Sequence, residues 1–235
     1  RLLRDDGVEV LTGTALERVD GTSGESVRLT TDHGVIEGTH LLVASGRVPN
    51  TDGIGLEDAG IETNERGIKV DERLRTTAEG VWAVGDCAGS PQFTHISEDD
   101  FHVVLSNLDG GDRVTTGRQV PYCLFTDPEL ARVGLSEREA HEQGVDYRLA
   151  KIPVSAVLRA RTLSETRGFF KALVEKTVDR ILGFTAISPE AGEVIAVVQV
   201  AMLAGLPYTT LRDAVLAHPT MAEGLKVLFS SIPPR

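Results

Sequence analysis

Two short, uninterrupted apolar runs constrain this chain more than any other feature. Leu41-Leu42-Val43-Ala44 ends in Ser45-Gly46, and Val81-Trp82-Ala83-Val84 ends in Gly85-Asp86. Runs of this kind suit strands buried on both faces of a parallel sheet, which predicts an α/β arrangement. In open sheets of that class, ligands bind beyond the carboxyl ends of the strands, where Gly85-Asp86 would fall. Glycine lets the backbone approach a ligand closely, and an aspartate there can accept hydrogen bonds from a sugar or ribitol hydroxyl. On the residues alone, a ligand-binding turn and a plain strand, turn and solvated Asp86 stand equally open.

The rest of the first half is β-rich and broken by turns. Val8–Leu11 and Ser26–Thr30 alternate as strands do, and Asp32-His33-Gly34 is a hairpin turn before Val35-Ile36. Pro49 to Gly55 reads as a connection between domains. Residues 96–108 have helical apolar spacing, and Asp109 to Asp112 forms a second break.

From Val120 the texture changes. Tyr122–Phe125, Tyr147–Val154, Phe169–Glu175 and Arg180–Ile187 read as strands, the last two joined as an antiparallel hairpin through residues 176–179. Helices are expected over Ser136–Gln143, opened by a Ser136/Glu139 capping box, over Pro189–Ala204 and over Thr220–Phe229. Strands followed by helices describe an α+β domain.

Composition narrows the function classes. Twenty-four basic against 35 acidic residues give a formal charge of −11, so phosphate would repel the chain and a nucleic-acid partner is not expected. With 41% hydrophobic and 25% charged residues, the chain is expected to be globular. No stretch reaches the roughly 18–20 uncharged apolar residues of a membrane span. The greasiest segment, Val194–Leu206, contains Gln199 and reads as a buried helix. Cys87 and Cys123 cannot make a disulfide framework, so a reducing, cytoplasmic setting is the default. His33, His40, His102 and His141 show no ligand-like clustering, and no metal site is assigned.

Three motifs in order carry a family resemblance. Thr76 to Asp86 resembles the second flavin motif of the pyridine nucleotide–disulfide oxidoreductases, the family of dihydrolipoamide dehydrogenase, glutathione reductase and mercuric reductase. The resemblance gives Asp86 the FAD ribitol and lays the backbone of Gln92, Phe93, Thr94 and His95 against the flavin ring; without it, His95 reads as a surface-loop histidine. Leu42 to Asn50 resembles the segment that closes the family's NAD(P) domain, which puts Gly46 against the nicotinamide cofactor. Ala217-His218-Pro219-Thr220-Met221-Ala222-Glu223 resembles the catalytic acid–base signature.

A lone histidine near a helix start is more often structural than catalytic. The spacing nevertheless explains how the pair would work. Proline holds His218 extended, Thr220 can cap, and Glu223 in the first helical turn can return to the imidazole and fix its tautomer. The resemblance implies that His218 exchanges protons with a dithiol beside the flavin of the other subunit, so that a homodimer is needed. Phe125–Leu135, Arg159-Ala160-Arg161 and Gly168–Lys171 resemble parts of the same family's dimerisation domain.

Other family features do not occur in these residues. The Gly-x-Gly-x-x-Gly fingerprints and the Cys-x4-Cys pair have no counterpart: Gly53-Ile54-Gly55 is followed by Asp58 where the last glycine belongs, and the two cysteines, expected to be buried free thiols, match no catalytic position. The chain also opens Arg1-Leu2-Leu3-Arg4 without a signal-peptide pattern. The expectation is therefore the carboxyl-terminal half of such an enzyme: 1–48 ending an NAD(P)-binding domain, 49–119 a segment of an FAD-binding domain, and 120–235 an α+β dimerisation domain with an antiparallel sheet.

Its cofactors would be FAD and NAD(P), and its substrate a small molecule or a disulfide. The terminal Ser230–Arg235 lacks the cysteine pair of mercuric reductases, which argues against Hg(II) delivery. Phe93-Thr94-His95 with Glu98-Asp99-Asp100 departs from the dihydrolipoamide dehydrogenase pattern and is more similar to a mercuric-reductase-like branch. The alternative is a non-enzymatic dimerisation module carrying inactive cofactor-domain remnants.

Overall fold

The computed structural model describes residues 1–235. After a one-turn helix α1 (Leu2–Asp5), three strands form an antiparallel meander: β1 (Leu16–Thr22), β2 (Ser26–Thr31) and β3 (Gly34–Gly38). The β2–β3 hairpin turns at Asp32-His33, where Thr31 pairs with Gly34. Arg28 and Glu37 face each other in register and form a 2.6 Å ion pair. Val27 is the only buried hydrophobic of the meander; Val19, Val35 and Ile36 are exposed.

Both apolar runs depart from expectation. Leu41–Ala44 joins no strand, with Leu42 87% and Val43 73% exposed. Val81–Val84 makes one isolated antiparallel bridge, Trp82 to Arg75, and buries only Ala83. A parallel strand needs neighbours on both edges, and no segment among residues 1–235 forms a parallel pair with either run. Val8–Leu11 likewise forms no strand.

The middle of the chain is held by a small cluster of Ile61, Ile68 and Ala83. It contains a minimal hairpin, β4 (Thr63–Asn64) and β5 (Gly67–Ile68), a 3-10 turn at Gly85–Ala88, and α2 (Thr94–Leu108). Helix α2 buries Ile96, Asp100 and Val103, spaced four and three apart on one face.

The remainder is built on a five-stranded antiparallel sheet in the order β6-β7-β10-β9-β8. Its strands are β6 (Tyr122–Leu124), β7 (Glu129–Gly134), β8 (Tyr147–Pro153), β9 (Phe169–Glu175) and β10 (Ile181–Ser188), with helices α3 (Glu137–Glu142), α4 (Leu158–Thr162), α5 (Ala191–Leu203), α6 (Tyr208–Asp213) and α7 (Gly224–Ser230). The expected β9–β10 hairpin is present, and strand β7, between β6 and the central β10, is an addition to the strands expected from the sequence. The Ser136/Glu139 capping box opens α3.

Helix α5 packs on β7 and β10, and α7 on β8 and β9, enclosing a core that includes Phe170 edge-on to Phe184. Helix α5 is buried on one face only: Val194, Ile195, Val198 and Ala201 point inward, while Val200 and Leu203 are 64% and 65% exposed. Helix α7 turns its apolar residues inward, and Leu225, Leu228 and Phe229 fill the chain's own core.

Candidate active site

Asp86 sits on the 3-10 turn directly after Gly85, which has φ +70°. Its carboxylate is about two-fifths exposed and meets Arg47 Nη2 at 3.4 Å through Oδ2. The same Arg47 nitrogen donates to the Gln92 carbonyl at 2.9 Å, and Gln92 Nε2 donates back to the Arg47 carbonyl at 3.3 Å. One arginine thus draws Gly46-Arg47, Asp86 and Gln92, three separately predicted segments, into one cluster. Arg47 lies within a sequence motif that by itself marks no role for it.

Gln92 leads into Phe93, the residue that opens α2. The N–H groups of Thr94 and His95, at the first two helical positions, donate to no acceptor in the chain. Such orphan donors at a helix start favour negative charge. His95 is not a free loop histidine: its Nε2 lies 2.8 Å from the Pro121 carbonyl, and its ring stacks on Phe93, which in turn stacks on Tyr122.

This donor set fits a flavin cofactor in kind. No hydrogen bond within the chain uses the Asp86 carboxylate, whose nearest cation is Arg47 at 3.4 Å, so it can accept from a ribitol hydroxyl, and the exposed start of α2 offers two N–H groups that no acceptor in the chain takes up.

The second cluster lies at the other end of the chain. His218 Nδ1 is 3.1 Å from both Glu223 oxygens, and the imidazole is 62% exposed. The Thr220 N–H donates to Glu223 Oε2 at 3.0 Å. That backbone hydrogen bond, and then the His218 side chain, hold the Glu223 carboxyl below its ordinary pKa. The local turn differs from expectation. Helix α7 begins at Gly224, because Gly224, Leu225 and Lys226 each bond three residues back, and Thr220 Oγ1 donates to Ala217 O rather than capping the helix.

Gly224 explains how Glu223 is seated. A Cβ there would lie 2.5 Å from the Phe170 ring and 2.7 Å from Val157, so only glycine lets the start of α7 settle against the core. No hydrogen bond or ion pair joins the His218–Glu223 pair to the Asp86 cluster.

The cysteines are half-buried rather than buried. Cys87 Sγ donates to the Val84 carbonyl. Burial, and then the Glu129 charge, push the Cys123 thiol up, which keeps it protonated and unreactive. No group of three or more His, Cys, Asp or Glu side chains is placed to hold a metal ion.

Residues 120–228 match the dimerisation domain of the pyridine nucleotide-disulphide oxidoreductases, and residues 1–100 match the pyridine nucleotide-disulphide oxidoreductase profile itself. The chain belongs to the pyridine nucleotide-disulphide oxidoreductases. Among solved structures, this chain superimposes on the HOCl-induced flavoprotein disulfide reductase RclA from Escherichia coli with a TM-score of 0.91 and 42% identity, over 97% of this chain and 53% of that one.

Among curated relatives, it is 36% identical over 225 residues to the mercuric reductase of Acidithiobacillus ferrooxidans, covering 95% of this chain and 41% of the relative. It is 35% identical over 233 residues to the mitochondrial dihydrolipoyl dehydrogenase of Pisum sativum, covering 96% and 46%. The chain spans about half the length of the relatives it matches. The oxidoreductases of this family work with FAD and NAD(P)H, and no helix of this one is long and apolar enough to cross a membrane.

Proposed function

We propose that this chain is the flavin-facing and dimer-forming part of an FAD-containing, NAD(P)H-dependent disulfide oxidoreductase. The observation that carries the reading is the exposed His218 imidazole, anchored at Nδ1 by Glu223 with Nε2 turned free, on a segment matching the family's dimerisation domain. FAD, when bound, supplies a two-electron relay between nicotinamide and a disulfide.

The residues of this chain bind and orient. Asp86 accepts hydrogen bonds from the ribitol, the Gln92–His95 backbone with its two free N–H groups supports the flavin ring, and Gly46 lies against the nicotinamide. His218 Nε2 moves a proton to or from a dithiol on the partner subunit of a homodimer. NAD(P)H contributes a hydride and His218 a proton, so that one disulfide becomes two thiols. The redox disulfide belongs to a segment outside residues 1–235, the substrate is a disulfide or another small oxidant, and the compartment is the cytoplasm. Residues 1–48, 49–119 and 120–235 are the working divisions: NAD(P) segment, FAD segment and dimerisation domain.

The reading is tested on the isolated chain. Residues 1–235 carry no glycine fingerprint to cradle the FAD pyrophosphate, so the purified chain should be colourless and inert toward NAD(P)H, and should acquire both properties with a companion segment that supplies the fingerprint and dithiol. Yellow protein that oxidises NAD(P)H without any companion would overturn the division of labour.

A further inference from the structure

Asp100 is the one carboxylate of the chain that is completely buried. Burying a charge is costly unless it is both paired and hydrogen-bonded, and each oxygen of Asp100 has its own partner. Oδ2 accepts the Gly85 N–H at 2.8 Å, and Oδ1 is ion-paired with Arg118. Arg118 is itself largely buried and also reaches Asp99 at 3.2 Å and Ser90 Oγ at 3.3 Å.

The Gly85 bond bears on Asp86. Gly85 packs onto α2 so closely that a Cβ would lie 2.8 Å from Ser97 Oγ, and Ser97 stands one turn before Asp100 on the same helix. Helix α2 therefore grips the turn at Gly85 twice, by contact and by hydrogen bond. Asp86 receives no hydrogen bond from α2, so the helix acts on it only through its neighbour, while Arg47 meets its carboxylate directly.

We infer that Asp100 is a positioning residue for the flavin site: by accepting the Gly85 N–H it fixes the turn that presents Asp86 to the ribitol, while Arg118 balances its buried charge. This rests on the proposed role of Asp86. It also gives the segment around Arg118, which leads into β6, a physical link to the cofactor turn.

The test compares two double variants in the flavoprotein that contains this chain. D100N/R118M and D100L/R118M both lack the ion pair, and only the first keeps an acceptor for Gly85. The readouts are the FAD dissociation constant and the flavin absorption band. D100N/R118M should hold FAD close to wild type. D100L/R118M should bind it about 10–100-fold more weakly, the expected consequence of an orphaned buried N–H, with an altered band. Equal FAD affinity in the two variants would overturn the inference alone, whereas a wild-type protein that holds no FAD would remove it together with the proposed function. Amide exchange keeps the test decisive where the leucine variant does not fold: the Gly85 N–H should be protected in wild-type protein and in D100N/R118M, and exchange as fast as a free loop amide would contradict the assignment.

Discussion

Nδ1 of His218 lies 3.1 Å from both carboxylate oxygens of Glu223, five residues further along the chain. Glu223 is anchored in turn by the Thr220 N–H, so the orientation of the imidazole is set by backbone. The carboxyl is held below its ordinary pKa, first by that N–H and then by His218. A lowered carboxylate pKa means that Glu223 is charged at neutral pH and gives up its charge only at a lower pH than an ordinary glutamate does. Across the working range of a His-based proton shuttle, the anchor stays charged.

Glu139 gives the clearest pH-dependent stability. Hydrogen bonds from Ser136, side chain and then backbone, together with Arg132, bring its pKa from 4.5 down to about 2. Its contribution is complete above pH 4.5 and lost as pH falls toward 2. Replacing Glu139 by Gln should lower stability at pH 7 by about 1 kcal/mol, the usual worth of a helix cap. Urea melts at several pH values check this: the gap between wild type and E139Q should close on acidification, and a gap independent of pH would refute the assignment.

Gly224→Ala should be more damaging than its size suggests. The new methyl would press on Phe170 and Val157, and overpacking of this kind costs about 1–3 kcal/mol. Thermal melting measures the loss. An unchanged melting temperature would show that α7 shifts freely.

The outward face of α5 should be an interface between two copies. Val200 and Leu203 are exposed neighbours on that helix, and apolar patches of this kind mark contacts. Sedimentation at micromolar concentration should show a dimer for the wild type and monomer for V200D/L203D. A wild-type monomer would remove the claim.

What could be read from the sequence follows the range of the interactions. The β9–β10 hairpin, the α3 capping box and the His218–Glu223 pair are local, and their residues announced them. Leu41–Ala44 and Val81–Val84 have the pattern of buried parallel strands, a state that depends on distant neighbours; here the first joins no strand and the second makes only the antiparallel bridge from Trp82 to Arg75. Strand β7 is hard to read from the sequence because Leu130, Ala131 and Val133 place apolar residues on both faces, which blurs the period of two. The Arg47–Asp86–Gln92 cluster joins residues up to 45 apart, beyond any spacing rule. Asp100 had a usable signal: helical spacing from Ile96 to Val103 puts it on the buried face, although an acidic residue there reads at first as part of a solvated run.

The most direct test of the account measures the two half-reactions separately in the flavoprotein that contains this chain, with His218 replaced by Ala. Flavin reduction by NAD(P)H should stay near the wild-type rate, and disulfide exchange should slow by about 10²–10⁴-fold, the worth of general acid–base help, with E223Q falling between H218A and wild type. Equal loss in both half-reactions, or none in disulfide exchange, would mean that His218 is structural and contradict the proposed function.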